Sequence, residues 1–317
     1  MSTLIIDHRD ISLDYENDCV LIRHPTIPLR SVPLAGLQRI LCMHSVQLTS
    51  RLLGHCQQQS VDFIHLNTRH SEFSFALYAQ HVQQAARRTA QYCLTSDSAQ
   101  ALPIARLLVS AKLGQTRRVL RLEEDSTLAS SLLASLVERR RSLRLAGNLA
   151  SLRGLEGSAQ HELFGYWRSV LPKQLGFAQR ARRPPPDPVN ALLSLTYTLV
   201  YHEAIRQCLA HGLDPWLGVY HQLVHSRQSL ACDLMEPLRP VVESWVVQRF
   251  TAGDFDRRHF SQQGGSCHFG KAGRERYYTL WYLQQPFWAR RLARYARWLA
   301  RHLEQSSPAA VISTEEE

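Results

Sequence analysis

The sequence predicts an α+β chain of two unlike parts, a small N-terminal β domain followed by a larger all-α domain. Three observations point there. Over residues 1–66, short runs rich in Ile, Leu and Val alternate with proline and polar breaks, the pattern of strands. From about residue 76 the apolar spacing lengthens to a helical period, held over long segments. A length of 317 residues is enough chain for two separate cores.

Taken in order, "TLIID" (3–7), "ISLDY" (11–15), "CVLIRH" (19–24), "TIPLR" (26–30) and "LQRILCM" (37–43) are the first strands. "VQLTSRLLGHCQQQ" (46–59) places Val46, Leu48, Leu52 and Leu53 on one side of a short helix, and "SVDFIHL" (60–66) returns to strand. The polar connector "NTRHSE" closes a β domain spanning 1–75. The helical domain, 76–305, opens with "ALYAQHVQQAARRTAQYCL" (76–94) and "SAQALPIARLLVSAKLGQTRRVLRL" (98–122), with "SDS" at 96–98 as a cap between them. "DSTLASSLLASLVERRRSLRLA" (125–146) is a third helix. "NLASLRGLEGSAQHELFGYWRSVLP" (148–172) is a fourth, with interruptions expected at Gly154 and Gly157. "KQLGFAQRARRPPPDP" (173–188) is too rich in proline for a regular helix. Helices resume at about 188–211 and 228–250, "GGSCHFGKAG" (264–273) suggests a small hairpin or loop, and a last helix runs from about 274 to 304 with a break at Pro286. The tail 306–317 has the composition of a disordered segment.

Charge and cysteine usage narrow the function. Lys and Arg outnumber Asp and Glu by 37 to 27, a net charge of +10 that favours a polyanionic partner such as nucleic acid. Only Lys112, Lys173 and Lys271 are lysines. Arginine suits bidentate contacts to phosphate, although a GC-rich genome produces the same bias. No stretch of about 18 apolar residues is present to span a membrane, and residues 1–20 lack a secretory pattern. Seven scattered cysteines without a C-x-x-C pair suit free thiols in a reducing cytoplasm better than a disulfide frame or a structural zinc.

One stretch carries chemistry. "HSRQSLACDLMEPLRP" (225–240) puts Asp233 and Glu236 three apart, on the same face of a helix, with Pro237 immediately after. Alone, an Asp-x-x-Glu pair is ordinarily a solvated helix face. Pro237 cannot donate to the carbonyl of Asp233, so a kink is expected there. His221 stands twelve residues before Asp233, and Glu156 lies in "LRGLEGS". Singly, each is an ordinary packed or exposed side chain. Together, oxygen ligands and one imidazole suit Mn²⁺ or Mg²⁺, ions that accept phosphate oxygens.

Four blocks, in order, give the chain a family resemblance: "VPLAGLQRILCMHSVQLTSRLLGHCQQQSVDFIHL", "LRGLEGSAQHELFGYW", "DPVNALLSLTYTLVYHEAIRQCLAHGLDPWLGVYH" and "SLACDLMEPLRPVVESWV". Over about residues 3–305 the sequence resembles the integrase of CRISPR adaptation, the Cas-one family. The resemblance implies an N-terminal β domain, serving dimer and partner contacts, joined to a helical catalytic domain. It implies that Glu156, His221 and Glu236 hold the metal and that Asp233 supports or shares the site. Where the family has Gly, an aromatic and Leu before its histidine, this chain has Gly218, Val219 and Tyr220, and His225, four residues on, competes with His221 for the assignment.

The implied activity is insertion of short double-stranded DNA fragments into a CRISPR array by transesterification, with Mn²⁺ or Mg²⁺ as cofactor. The implied assembly is a homodimer bridged by the Cas-two protein. A metal-dependent nuclease acting on branched DNA and a non-catalytic DNA-binding scaffold are the alternatives. Arg180, Arg182 and Arg183 in the proline-rich loop, with His225, Arg227 and Arg239 beside the acidic pair, are candidates for DNA contacts, though the loop also reads as a solvated linker. In the last helix Arg290, Arg294, Arg297 and Arg301 form a basic stripe opposite Trp288, Leu292, Tyr295 and Leu299.

Overall fold

The structure, a computed structural model, describes residues 2–67, 73–79, 84–121, 127–181, 184–221 and 227–305. The chain divides into two compact units, Met1–Val82 and Gln83–Glu317. A mostly β unit thus precedes a mostly helical one, the fold class read from the two periodicities.

The first unit holds two four-stranded sheets. In one, β1 (Ser2–Ile6) pairs in parallel with β5 (Leu37–Cys42), β5 in parallel with β7 (Asp62–His65), and β7 antiparallel with β8 (Phe75–Leu77). In the other, β2 (Ser12–Glu16) lies between β3 (Cys19–Arg23) and β6 (Gln47–Leu48), and β4 (Arg30–Pro33) flanks β3. Leu13, Val20, Leu34, Ile40, Leu52 and Phe63 fill the core. Each is at most 1% exposed, which removes most of their apolar surface from water.

Three expectations shift here. The helix foreseen over 46–59 starts at Ser50 as α1 (Ser50–Gln58), because Thr49 caps it by accepting from the Leu52 N–H, while Gln47 and Leu48 join β2. The strand foreseen at 26–30 forms instead at Arg30–Pro33, where the chain meets the free edge of β3; Pro25 and Pro28 would each lack a ladder donor. The helix foreseen over 76–94 begins only at Ala85. Residues Phe75–Leu77 are taken by the edge of β7, whose backbone groups outweigh local helix preference. Most of the connector 67–72 and the whole tail 306–317 lie outside the described residues.

The second unit is built from α2 (Ala85–Ser96), α3 (Ser98–Leu120), α4 (Thr127–Ser142), α5 (Leu149–Val170), α6 (Pro188–Ala210), α7 (Ser229–Met235), α8 (Arg239–Thr251) and α9 (Lys271–Gln305). A hairpin of β9 (Phe260–Gln263) and β10 (Ser266–Phe269) turns through Gly264 and Gly265, both at positive φ as a two-residue hairpin loop requires. Helix α6 is buried on most sides, the mark of a central helix. Asp187 caps it by accepting from the Asn190 N–H, and Pro188 occupies its first turn.

Two expected breaks are absent. Helix α5 runs unbroken through Gly154 and Gly157: Asn148 caps its start, and Leu152, Ala159, Leu163 and Trp167 bury one face, which outweighs the roughly 1 kcal/mol each glycine costs. Helix α9 likewise continues through Pro286, where burial of Trp281, Trp288 and Leu292 on either side offsets the lost hydrogen bond. The arginine stripe is where the period placed it, with Arg290, Arg294, Arg297 and Arg301 exposed and Trp288, Leu292 and Leu299 buried.

Candidate functional site

The kink expected at Pro237 takes the form of one 3-10 turn, Glu236–Leu238, between α7 and α8, in which the Glu236 N–H donates to the Asp233 carbonyl. Such a turn nearly eclipses side chains three apart, so Asp233 and Glu236 leave the backbone close together. Both are buried, which rules out the solvated-face reading of the pair. They do different work.

Asp233 is 0% exposed and saturated by the turn that follows α6. Its Oδ2 accepts the backbone N–H groups of Val219 (2.7 Å) and Tyr220 (3.0 Å), and its Oδ1 accepts that of His221 (2.9 Å). The same Oδ1 lies 2.6 Å from His221 Nδ1. With Nδ1 as donor, the lone pair of the imidazole is on Nε2. Gly218 makes this wrap possible: a Cβ there would stand 2.7 Å from the His221 carbonyl oxygen, 2.8 Å from Ser229 Cβ and 2.9 Å from Asp233 Oδ2. From α5, one turn before Glu156, Arg153 donates to the Tyr220 carbonyl (3.0 Å) and fastens the turn to that helix.

Glu236 faces cations. Its Oε1 accepts from Arg239 Nε and its Oε2 from Lys112 Nζ, each at 2.7 Å. Burial alone would raise its carboxyl, but the Arg239 guanidinium and the Lys112 ammonium beside it bring it down to about 2. Lys112, on α3 and only 4% exposed, also bonds Glu156 Oε1. Burial works against its charge, and the two carboxylates outweigh it, so the ammonium is held above the usual lysine range. His221 Nε2 is 3.8 Å from Glu236 Oε1, beyond hydrogen-bond length.

Behind this lies a second buried carboxylate, Glu243, which accepts from Gln160 Nε2 at 3.0 Å on both oxygens and from the Tyr197 hydroxyl. Burial raises its pKa despite those partners. The Tyr220 hydroxyl is buried with no hydrogen-bond partner among the described residues, and burial, with Glu156 and Glu236 nearby, keeps it a neutral donor.

Helices α5 and α7, the turn after α6 and the 3-10 turn Glu236–Leu238 thus bring Glu156, His221, Asp233 and Glu236 into one cluster, Asp233 and Glu236 buried and Glu156 and His221 half-buried, with Lys112 of α3, which the sequence reading missed, between Glu156 and Glu236. The signal was available: Lys112 falls on the apolar stripe of Leu108, Val109, Leu113 and Thr116, where a charged side chain needs a buried partner. Two carboxylates and an imidazole of fixed tautomer are a donor set that fits a hard divalent ion. Among the described residues, however, no three such side chains already stand as an open metal site, since Lys112 and Arg239 take the carboxylate oxygens.

The candidate DNA contacts divide. Arg180 donates to Asn190 Oδ1 (2.9 Å) and Ser194 Oγ (3.1 Å) and lies 5.7 Å from the Tyr197 ring centre, so it ties the loop to α6. Arg239 is occupied by Glu236 and by the same ring at 5.0 Å. Both guanidiniums are committed within the fold. Arg227 is half-buried. Arg182, Arg183 and His225 lie outside the described residues.

The chain as a whole has relatives among known proteins. The family model described as CRISPR associated protein Cas1 matches residues 4–282. The CRISPR-associated endonuclease Cas1 1 of Thermodesulfovibrio yellowstonii is 30% identical over 309 residues, covering 94% of this chain and 96% of the relative. A casposase bound to integration product superimposes with a TM-score of 0.84 at 18% identity, covering 97% of this chain and 92% of the other. A chain of a Cas6-RT-Cas1–Cas2 complex gives 0.82 at 22% identity, covering 96% of this chain and 35% of the other. At those identities the two structures speak for the fold.

Proposed function

Because the chain belongs to the Cas1 family of CRISPR-associated proteins, we propose that it is a metal-dependent DNA integrase and endonuclease of CRISPR adaptation, joining short DNA fragments to the CRISPR array by transesterification. The observation that carries the reading is the convergence of Glu156, His221, Asp233 and Glu236 in one cluster of a chain that matches this family almost throughout. Mn²⁺ or Mg²⁺ would be held by Glu156, His221 and Glu236. When bound, such an ion supplies charge neutralisation at a phosphodiester and lowers the barrier to deprotonating the attacking hydroxyl.

The residues themselves divide the work. Asp233 fixes the imbalance of the His221 ring, proton on Nδ1 and lone pair on Nε2, and does so with a carboxylate that has no exposure of its own. Arg239 keeps Glu236 ionised and immobile. The exposed arginines of α9 would hold the DNA by its backbone. Assembly as a homodimer with Cas2, in the cytoplasm where seven free thiols stay reduced, completes the reading; the pairing with Cas2 is supported by the Cas6-RT-Cas1–Cas2 complex that a structural neighbour belongs to. No helix among the described residues is long and apolar enough to cross a membrane.

The test is to incubate the protein with Mn²⁺, a fragment bearing a 3′-hydroxyl and a repeat-bearing plasmid. Covalent joining, lost in Glu156→Ala and His221→Ala with DNA binding retained, is the expected outcome. Cleavage without joining would favour the branched-DNA nuclease. DNA binding with neither joining nor cleavage, and unchanged by either substitution, would leave only the scaffold.

A further inference from the structure

The carboxylates at the centre of the cluster are not waiting open. Lys112 reaches across from α3 and bonds Glu156 Oε1 and Glu236 Oε2, while Arg239 takes Glu236 Oε1. We propose that Lys112 is an internal counter-cation which holds Glu156 and Glu236 together in the metal-free protein and has to leave them for a divalent ion to bind. The proposal rests on the reading of Glu156, His221 and Glu236 as the ligand set.

Three physical points support it. First, Glu156 comes from α5 and Glu236 from the 3-10 turn after α7, and at their side chains Lys112 is 4%, Glu236 5% and Glu156 18% exposed. Two carboxylates at this spacing, one of them buried, repel unless a cation lies between them, and a buried ammonium without carboxylates is equally unfavourable. Each is therefore needed by the other while no metal is present. Second, the same oxygens cannot serve both cations. Glu156 Oε1 and Glu236 Oε2 accept from the ammonium, and a divalent ion bound to them would stand next to Nζ and repel it. Third, the chain uses a lysine at this position although arginines outnumber lysines 34 to 3 overall. A compact ammonium on a flexible four-carbon stem can withdraw as a point charge, whereas a guanidinium fork bridging two carboxylates would stay.

The experiment compares full-length wild type, Lys112→Met and Glu156→Gln, each stripped with chelator and then titrated with Mn²⁺ by calorimetry, with melting curves at both ends of the titration. Lys112→Met is expected to melt below wild type in chelator, to gain more from Mn²⁺, and to bind Mn²⁺ about ten-fold more tightly, the scale on which groups around a ligand set act. Equal Kd and equal gain in melting temperature, with binding lost in Glu156→Gln, would overturn the role of Lys112 while leaving the ligand set intact. Binding undiminished in Glu156→Gln would overturn the ligand set, and this proposal with it. Should Lys112→Met fail to fold, reductive methylation of wild type decides. Lys173 and Lys271 are exposed and serve as internal standards. Methylation of Lys112 relative to them is expected to rise several-fold on saturation with Mn²⁺; an unchanged ratio overturns the proposal.

Discussion

Glu236 is buried between two cations, and its acid dissociation records the fact. Its carboxyl lies at about 2 in the folded protein against 4.5 ordinarily. A group depressed in this way stabilises the fold fully above about pH 4.5 and ceases to as pH falls through about 2. At about 1.4 kcal/mol per pH unit the contribution is roughly 3 kcal/mol. Urea unfolding of wild type is expected to show that loss between about pH 5 and pH 2, and Glu236→Gln is expected to start lower at neutral pH and to lack the same decline. Asp233→Asn tests the other acid. It keeps the shape but turns an amide N–H toward donors already placed there, so a loss of about 2–4 kcal/mol is expected in the same assay. At this scale the sequence was informative about the residues that carry charge in a recognisable spacing. Glu156, His221, Asp233 and Glu236 were legible from their blocks, whereas Lys112, with no motif around it, became visible only through what it touches.

Helices show what local rules could and could not settle. The α6 start was readable because Asp187 and Pro188 are a cap and a first-turn residue by their own chemistry. The expected interruption of α5 failed because Gly154 and Gly157 lower helix preference without forbidding it, and the packing of one face decides. Around both glycines the space a Cβ would fill is open. Gly154→Ala and Gly157→Ala are each expected to stabilise the protein by about 0.5–1 kcal/mol in thermal or urea unfolding. Gly218→Ala is expected to do the reverse. Two of the atoms it would strike belong to the His221 backbone and the Asp233 carboxylate, so a loss of about 1–3 kcal/mol should accompany loss of joining activity. The strand at Phe75–Leu77 was illegible for a different reason: its partner, β7, lies ten or more residues away, and edge pairing has no local period to announce it.

For the whole molecule, charge is the organising quantity. The excess of basic residues is general, but α9 concentrates it: Arg290, Arg294, Arg297 and Arg301 are exposed along a helix whose opposite face is core. Replacing Arg294 and Arg297 together by Ala is expected to reduce the slope of log K against log salt for duplex binding by about 2, close to one counterion per phosphate contact, without a shift in melting temperature. The division into a β unit and a helical unit was legible because period two dominates the first part of the chain and 3.6 the rest, with α1 and the β9–β10 hairpin as short exceptions. The gathering of the site was not, because it joins α3, α5, the turn after α6 and α7, segments far apart in sequence.

Among the described residues, the turn that carries His221 finds the acceptor for its three consecutive N–H groups in a carboxylate that comes twelve residues after that histidine. A nascent chain halted before Asp233 therefore presents an imidazole with neither position nor tautomer imposed on it. Synthesis order thus leaves the cluster unassembled until α7 has emerged and docked.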